Sequence, residues 1–358
     1  MMPGFNDIIA ATEADRRDLF LSTSLRLGTP IQNVEKDFWV CWVLDLLFNG
    51  PGNHEPRLLF KGGTSLSKSY GLISRFSEDI DITVFREDLG QPLDVEDLEG
   101  LSVKKQRANL NAIKEACQHY ISSMLKERLS TSIAAAFEGT GLPFNPSAVT
   151  LDPDDPDRQT LLIAYPAVSA QPGEYNPPTV KIEAGAKSAL DPHRATTVTP
   201  YLAEDVPNLM LNVSNVVTID AERTFWDKVV ILHGQRRWFE RRGELRRQGQ
   251  RVSRHYYDIY RLLGSDTGRR AARDLDLARD CARHARMFFN SSDLDLATAH
   301  PGTFALSPLP EMDTQLRRDY TAMAGMIFGD VPEWGLIVEA IRQFEQLVNQ
   351  SDCTTRGG

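Results

Sequence analysis

Hydrophobic and polar positions recur along this chain with two different periods, and the places where the period changes mark out its elements. Residues 6–28 and 31–49 repeat apolar positions at helical spacing on either side of Gly28-Thr29-Pro30, which predicts two helices. In the second, Val34, Phe38, Cys41 and Trp42 fall at helical steps, while Glu35, Lys36 and Asp37 supply polar positions near its start. Residues 57–60 read as a short strand running into Gly62-Gly63, and 64–70 as a short helix after that turn. From Asp79 to Phe85 the alternation is strict, a strand pattern. Residues 103–137 return to helical spacing, with Leu110, Ile113, Cys117, Ile121 and Met124 on one face. Pro, Asp and Gly make 140–160 a loop; strands are predicted at 160–165 and 179–184, and 192–207 is rich in turn residues. After Asn215 the pattern is mainly helical, over 220–233, 256–263, 271–287, 314–328 and 333–348. A boundary near residue 212 would divide the chain into 1–212 and 213–358.

Length and composition narrow the class. A chain of 358 residues can bury two cores, and 41% hydrophobic with 25% charged residues fits neither disorder nor a fibre. No apolar run approaches the roughly 20 residues of a membrane helix, so no membrane partner is expected. The N-terminus lacks the basic and apolar regions of a secretory signal, and four scattered cysteines form no Cys-x-x-Cys pair. A reduced, cytoplasmic setting without a zinc site follows. The net charge of −9 argues against a protein that coats nucleic acid, yet eight arginines and only two acids lie between Arg236 and Arg254. Arg236, Arg237, Arg241, Arg242, Arg246, Arg247 and Arg251 are therefore candidate RNA contacts, with a solvated inter-helix loop as the competing reading.

The candidate chemistry lies earlier. Asp79 and Asp81 are two apart on a predicted strand and project from one face, where both ionise comfortably only with a cation nearby. Mg²⁺ or Mn²⁺, held by two carboxylates and completed by nucleotide phosphates, suits such a pair. Upstream, Gly62 and Gly63 remove side chains where phosphate would approach, Thr64 and Ser65 open a helix, and Lys61 and Lys68 offer positive charge. Either motif alone reads as ordinary surface; both occur in order within one strand–turn–helix–strand unit. Arg75, in the loop feeding the strand, is a further phosphate candidate or a salt-bridge partner of Glu78 or Asp79. Glu183, on one strand face with Lys181, is either a third carboxylate or half of an ion pair.

The run Lys61-Gly62-Gly63-Thr64-Ser65-Leu66-Ser67-Lys68, followed by Arg75-Phe76-Ser77-Glu78-Asp79-Ile80-Asp81, resembles the Gly-Ser … Asp-x-Asp signature of DNA polymerase β-like nucleotidyltransferases. More narrowly it resembles the AbiEii toxins of AbiE-type toxin–antitoxin systems and the related MenT toxins. Glu35-Lys36-Asp37-Phe38-Trp39-Val40, Glu222-Arg223-Thr224-Phe225-Trp226-Asp227-Lys228 and Arg254-His255-Tyr256-Tyr257-Asp258-Ile259-Tyr260 agree, so the resemblance runs from about residue 33 to 263. It implies an α+β fold: a polymerase β-like core with a mixed sheet flanked by helices, plus a mainly helical C-terminal lobe completing the active site. It further implies that Lys228 orients the nucleotide, that Asp258 completes the acidic site, and that Asp258 or Glu183 deprotonates the acceptor. The implied activity is metal-dependent transfer of a nucleoside monophosphate from an NTP to the 3′ end of tRNA, blocking translation, with a cognate antitoxin as partner. Nucleotidylation of a protein or small-molecule hydroxyl, and a non-catalytic nucleotide-binding regulator, are the alternatives.

Overall fold

A computed structural model of the protein describes residues 3–51, 56–140, 142, 147–169, 178–246 and 251–355. In chain order the elements are α1 (Pro3–Ala10), α2 (Glu13–Leu27), α3 (Ile31–Asn49), β1 (Leu58–Lys61), α4 (Gly62–Lys68), β2 (Asp79–Val84), α5 (Val95–Glu99), α6 (Val103–Tyr120) and α7 (Lys126–Phe137). Then follow β3 (Val149–Leu151), β4 (Thr160–Ala164), β5 (Thr179–Gly185), β6 (His193–Val198) and β7 (Val213–Ile219). The remainder is helical: α8 (Ala221–Arg242), α9 (Ser253–Leu263), α10 (Asp266–Ala271), α11 (Leu275–Phe288), α12 (Pro310–Met323) and α13 (Trp334–Thr355).

The seven strands form one mixed sheet in the order β3-β4-β5-β2-β1-β7-β6. β1 runs antiparallel to β2 and parallel to β7, and β2 runs parallel to β5. The fold is thus α+β, as the resemblance implies. β1 and β2 sit mid-sheet because their apolar positions, Leu59, Phe60, Ile80, Ile82 and Val84, are buried. Helix α3 explains its own apolar density: Val34 to Leu47 is almost entirely buried, packed against β2, β5 and β7. Trp39 and Trp42 meet edge to face within that core, at 5.3 Å.

Three strands lie where the sequence predicts none. β3 falls inside the expected loop 140–160, and β6 inside the turn-rich stretch. β3 has only three residues, and β6 is a mostly exposed edge strand, His193-Arg194-Ala195-Thr196-Thr197-Val198, with no apolar alternation to announce it. β7 falls just past the expected boundary at 212. It is hydrogen-bonded to β1 and β6, so contacts divide the chain after Ile219 instead.

One compact unit comprises Met1–Tyr70, Phe76–Leu93 and Ser102–Ile219; the other comprises Gly71–Arg75, Asp94–Leu101 and Asp220–Gly358. The second unit is built around α8, which packs on α9, α10 and α11. Its Trp226 is fully buried, stacks on Phe304 and donates its indole N–H to the Ala271 carbonyl at 2.9 Å. α8 runs well beyond residue 233, ending only where Gly243 (φ +70°) donates its N–H to the Phe239 carbonyl. No helix among the described residues is long and apolar enough to cross a membrane.

Candidate active site

The strand–turn–helix–strand unit forms, and its parts are tied together differently from what the sequence suggests. Pairing of β1 with β2 sets Lys61 opposite Asp81, and pairing of β2 with β5 sets Asp79 opposite Lys181 and Asp81 opposite Glu183. Asp79, Asp81 and Glu183 thereby lie close together on neighbouring strands, with Glu183 directly beside Asp81. Burial pushes Asp79 up to about 7, helped by the negative charges of Glu78, Glu183 and Asp81, with Lys36 opposing. Carboxylates that raise one another's proton affinity in this way form a site that a cation would relieve.

The donor set is hard oxygen, which fits Mg²⁺ or Mn²⁺. Among the described residues no three His, Cys, Asp or Glu side chains stand close enough to enclose an ion by themselves. An Asp79–Asp81 platform therefore fits a metal whose remaining ligands come from water and substrate phosphate.

The start of α4 is shaped around these acids. Gly62 has φ +81°, and a Cβ there would fall 2.1 Å from Oδ2 of Asp81. What Gly62 accommodates is thus a carboxylate of its own chain, where the sequence suggests an approaching phosphate. Thr64 and Ser65 are fully buried. Thr64 Oγ1 donates to the Asp79 carbonyl at 2.5 Å, so the 2.7 Å contact with Ser77 is a bond donated by the Ser77 hydroxyl. Ser65 Oγ donates to the Gly62 carbonyl at 2.9 Å. Both hydroxyls donate within the chain in this structure. Lys61 and Gly63 lie at the mouth of the turn, both partly exposed.

Lys68 also departs from expectation. Its side chain is buried in an ion pair with Asp37, and its ammonium lies 3.4 Å from the centre of the Tyr201 ring. Asp37 keeps it charged despite burial, and the same carboxylate accepts the Tyr201 N–H at 2.7 Å. This cation is occupied in joining α4 to α3. Lys36, the residue before Asp37, bonds Glu78 at 2.8 Å. Glu35 accepts from the backbone N–H groups of Val168 (2.7 Å) and Ser169 (3.0 Å). Three consecutive polar residues on a buried helix thus reach three parts of the unit. The sequence marks them as polar positions near the start of the helix and as a segment of family resemblance; their burial inside an otherwise apolar helix is the signal that could have assigned them partners.

Glu183 is half exposed and bonds Lys181 at 3.0 Å, while Lys181 also lies 3.5 Å from Asp152. The ion pair exists, and the Glu183 charge still bears on Asp79.

The second unit has its own buried charged centre. Asp258 on α9 is fully buried and takes a two-pronged bond from Arg75, Nε to Oδ1 at 2.8 Å and Nη2 to Oδ2 at 2.9 Å. Lys228 on α8 bonds Oδ2 at 2.9 Å. Burial alone would raise the Asp258 carboxyl, but Arg75 and then Lys228 hold it well below the usual carboxylate range. A carboxylate so firmly ionised is a weak base, which argues against the proton-accepting role considered for it. Arg75, read from the sequence as a phosphate candidate or a partner of Glu78 or Asp79, and Lys228, which the resemblance implies orients the nucleotide, both bond Asp258. Neighbouring His255 is buried and kept neutral, by burial first and then by the positive charge of Lys228 and Arg254.

The arginine run is largely helix: Arg236, Arg237, Arg241 and Arg242 occupy the last turns of α8. Arg236 and Arg237 pair with Glu240, and Arg236 also bonds the Ser307 carbonyl at 2.8 Å. Arg242 pairs with Asp293, while Arg241 bonds the Ser292 carbonyl and lies 3.9 Å from Asp295. Arg242 and Arg246 both stand over the Trp238 ring, at 5.6 and 5.5 Å. Arg251 is exposed, and Arg247 lies outside the described residues.

With this geometry in hand, comparison with known proteins is decisive. The model of the family described as "Nucleotidyl transferase AbiEii toxin, Type IV TA system" matches residues 45–350. The chain belongs to the AbiEii family. It is accordingly a nucleotidyltransferase, and family membership implies an NTP substrate and an antitoxin partner. Among solved structures it is similar to MenT4, a nucleotidyltransferase toxin from Mycobacterium tuberculosis H37Rv. The TM-score is 0.50 and the identity 14%, over 93% of this chain and 89% of that one, a likeness of fold. No curated protein matches the sequence.

Proposed function

We propose that this AbiEii-family chain transfers a nucleoside monophosphate from a metal–NTP complex to the 3′ end of tRNA. The observation that carries the chemistry is the acid cluster, in which Asp79 is driven up to about 7 by burial and by Glu78, Glu183 and Asp81. Asp79 and Asp81 would hold Mg²⁺ or Mn²⁺, which supplies charge neutralisation for the triphosphate when bound. Lys61 and the backbone at Gly63 are the groups left to meet phosphate at the turn. The acceptor hydroxyl oxygen forms a bond to the α-phosphorus, the bond to the β-phosphate oxygen breaks, and pyrophosphate leaves. Glu183, half exposed beside Lys181, takes the hydroxyl proton. The acceptor reading rests on the arginine-rich end of α8 and the residues after it, suited to phosphate by planar, two-pronged contacts.

The test is incubation with each labelled NTP, Mg²⁺ and total RNA. Label is expected in tRNA-sized species, and Asp79→Ala or Asp81→Ala should abolish it without loss of fold. Label appearing in protein instead would move the acceptor, and near-wild-type turnover by either variant would overturn the site.

A further inference from the structure

The start of α4 does a different job from the one its glycines and hydroxyls advertise. We infer that Gly62 and Thr64 are positioning residues for the two carboxylates of β2: Gly62 leaves the space in which the Asp81 carboxylate sits, and Thr64 fixes the backbone at Asp79. The inference rests on the metal-binding reading given above and says how this chain builds that site.

The geometry is specific. An added Cβ at Gly62 would lie 2.1 Å from Asp81 Oδ2, 2.8 Å from its Cγ and 3.0 Å from its Cβ. The whole side-chain end of Asp81 therefore lies across the glycine, and no rotation of one oxygen would clear the collision. The β1–β2 register brings the two together, since Lys61 is the direct partner of Asp81 and Gly62 is the next residue. Thr64, two residues on, reaches back to the other acid: its hydroxyl donates to the Asp79 carbonyl and accepts from Ser77, just upstream of β2. Thr64 is completely buried, so its hydroxyl serves this connection. One turn of chain thus sets the side chain of one carboxylate and the main chain of the other. Losing a group that orients a metal ligand typically costs about 10–100-fold in metal affinity.

Gly62 also has a left-handed backbone, so a substitution there is strained as well as crowded. Gly28 controls for the general stability cost of a left-handed alanine, because its φ is +64° and an added Cβ would meet nothing within 4 Å. The experiment titrates Mn²⁺ alone, followed by electron paramagnetic resonance, and separately titrates NTP in the presence of EDTA. Gly62→Ala is expected to weaken Mn²⁺ binding by about tenfold or more, while Gly28→Ala leaves it unchanged. Thr64→Val should weaken Mn²⁺ binding in the same direction and Thr64→Ser should restore it, which tests the idea even if Gly62→Ala fails to fold. Metal-free NTP affinity should hold in Thr64→Val, Thr64→Ser and Gly28→Ala. Unchanged Mn²⁺ affinity with lost NTP affinity in Gly62→Ala would overturn the inference in favour of a phosphate cradle. A wild-type protein that binds no Mn²⁺, or one in which Asp81→Ala changes nothing, would instead remove the metal reading beneath it.

Discussion

Asp79 carries the strongest conflict at the level of single residues. Its carboxyl is raised from 3.8 to about 7, by burial first and then by three neighbouring acids. The unfolded chain ionises it near its ordinary value, so between those two points the folded state holds a proton that the unfolded state has lost. Stability is therefore lost as pH rises through that window, and the full cost is present above about 7. Without metal, Asp79→Asn should stabilise the protein at pH 8 by about 1–3 kcal/mol, and the gain should fade as pH drops towards 4. Urea unfolding at the two pH values checks this; a variant less stable than wild type at pH 8 would contradict it. Asp258 is the opposite case. Removing it in Asp258→Ala leaves Arg75 and Lys228 buried without their shared carboxylate, and should cost ~3–5 kcal/mol. An unchanged urea midpoint would show that the three charges are not coupled.

At the scale of elements, α8 decides what the arginine run can do. Counting along the chain gives eight arginines against two acids between 236 and 254. Folding brings Asp293 and Asp295 against the same helix end, so Arg241 and Arg242 have acidic neighbours that no local count includes. The arginines should then contribute unequally to RNA binding. Arg246, over the Trp238 ring, is expected to matter more than Arg236, which is tied to Ser307 and Glu240. Arg246→Ser should weaken tRNA binding and lower the log–log salt slope by somewhat under about one. Arg236→Ser should change tRNA affinity less and instead cost ~1 kcal/mol of stability through its lost carbonyl bond. Titrations of tRNA at several salt concentrations distinguish them, and equal effects would mean that the pairing in α8 does not govern RNA contact.

For the molecule as a whole, the second unit is discontinuous in sequence: 71–75 and 94–101 belong with the helices after Asp220. Arg75 comes from the first of these segments, and α5, from the second, carries the Glu96 and Glu99 that pair with Arg283 on α11. A fragment of 220–358 therefore lacks the main partner of Asp258 and the acids that hold α11. Such a fragment should unfold without the cooperative transition of the full chain. A cooperative melt of the isolated fragment, seen by circular dichroism, would show that the inserted segments are dispensable.

The sequence by itself determined the buried character of α3, the strand bearing Asp79 and Asp81, and the family resemblance, which implied the α+β class. These are legible because they depend on residue periodicity and on order along the chain, both local properties. The polar edge strand β6, and β7 beyond the expected boundary, were not legible, because a strand's membership in a sheet depends on a partner remote in sequence. The same holds for the polar partners. Gly62 was legible as a turn but not as the space for Asp81, Thr64 as a helix start but not as the tie to Asp79, and Lys68, Arg75 and Lys228 as cations but not as partners of Asp37 and Asp258. A hydroxyl or an ammonium takes whichever acceptor the fold brings within about 3 Å, and only the tertiary structure decides which one that is.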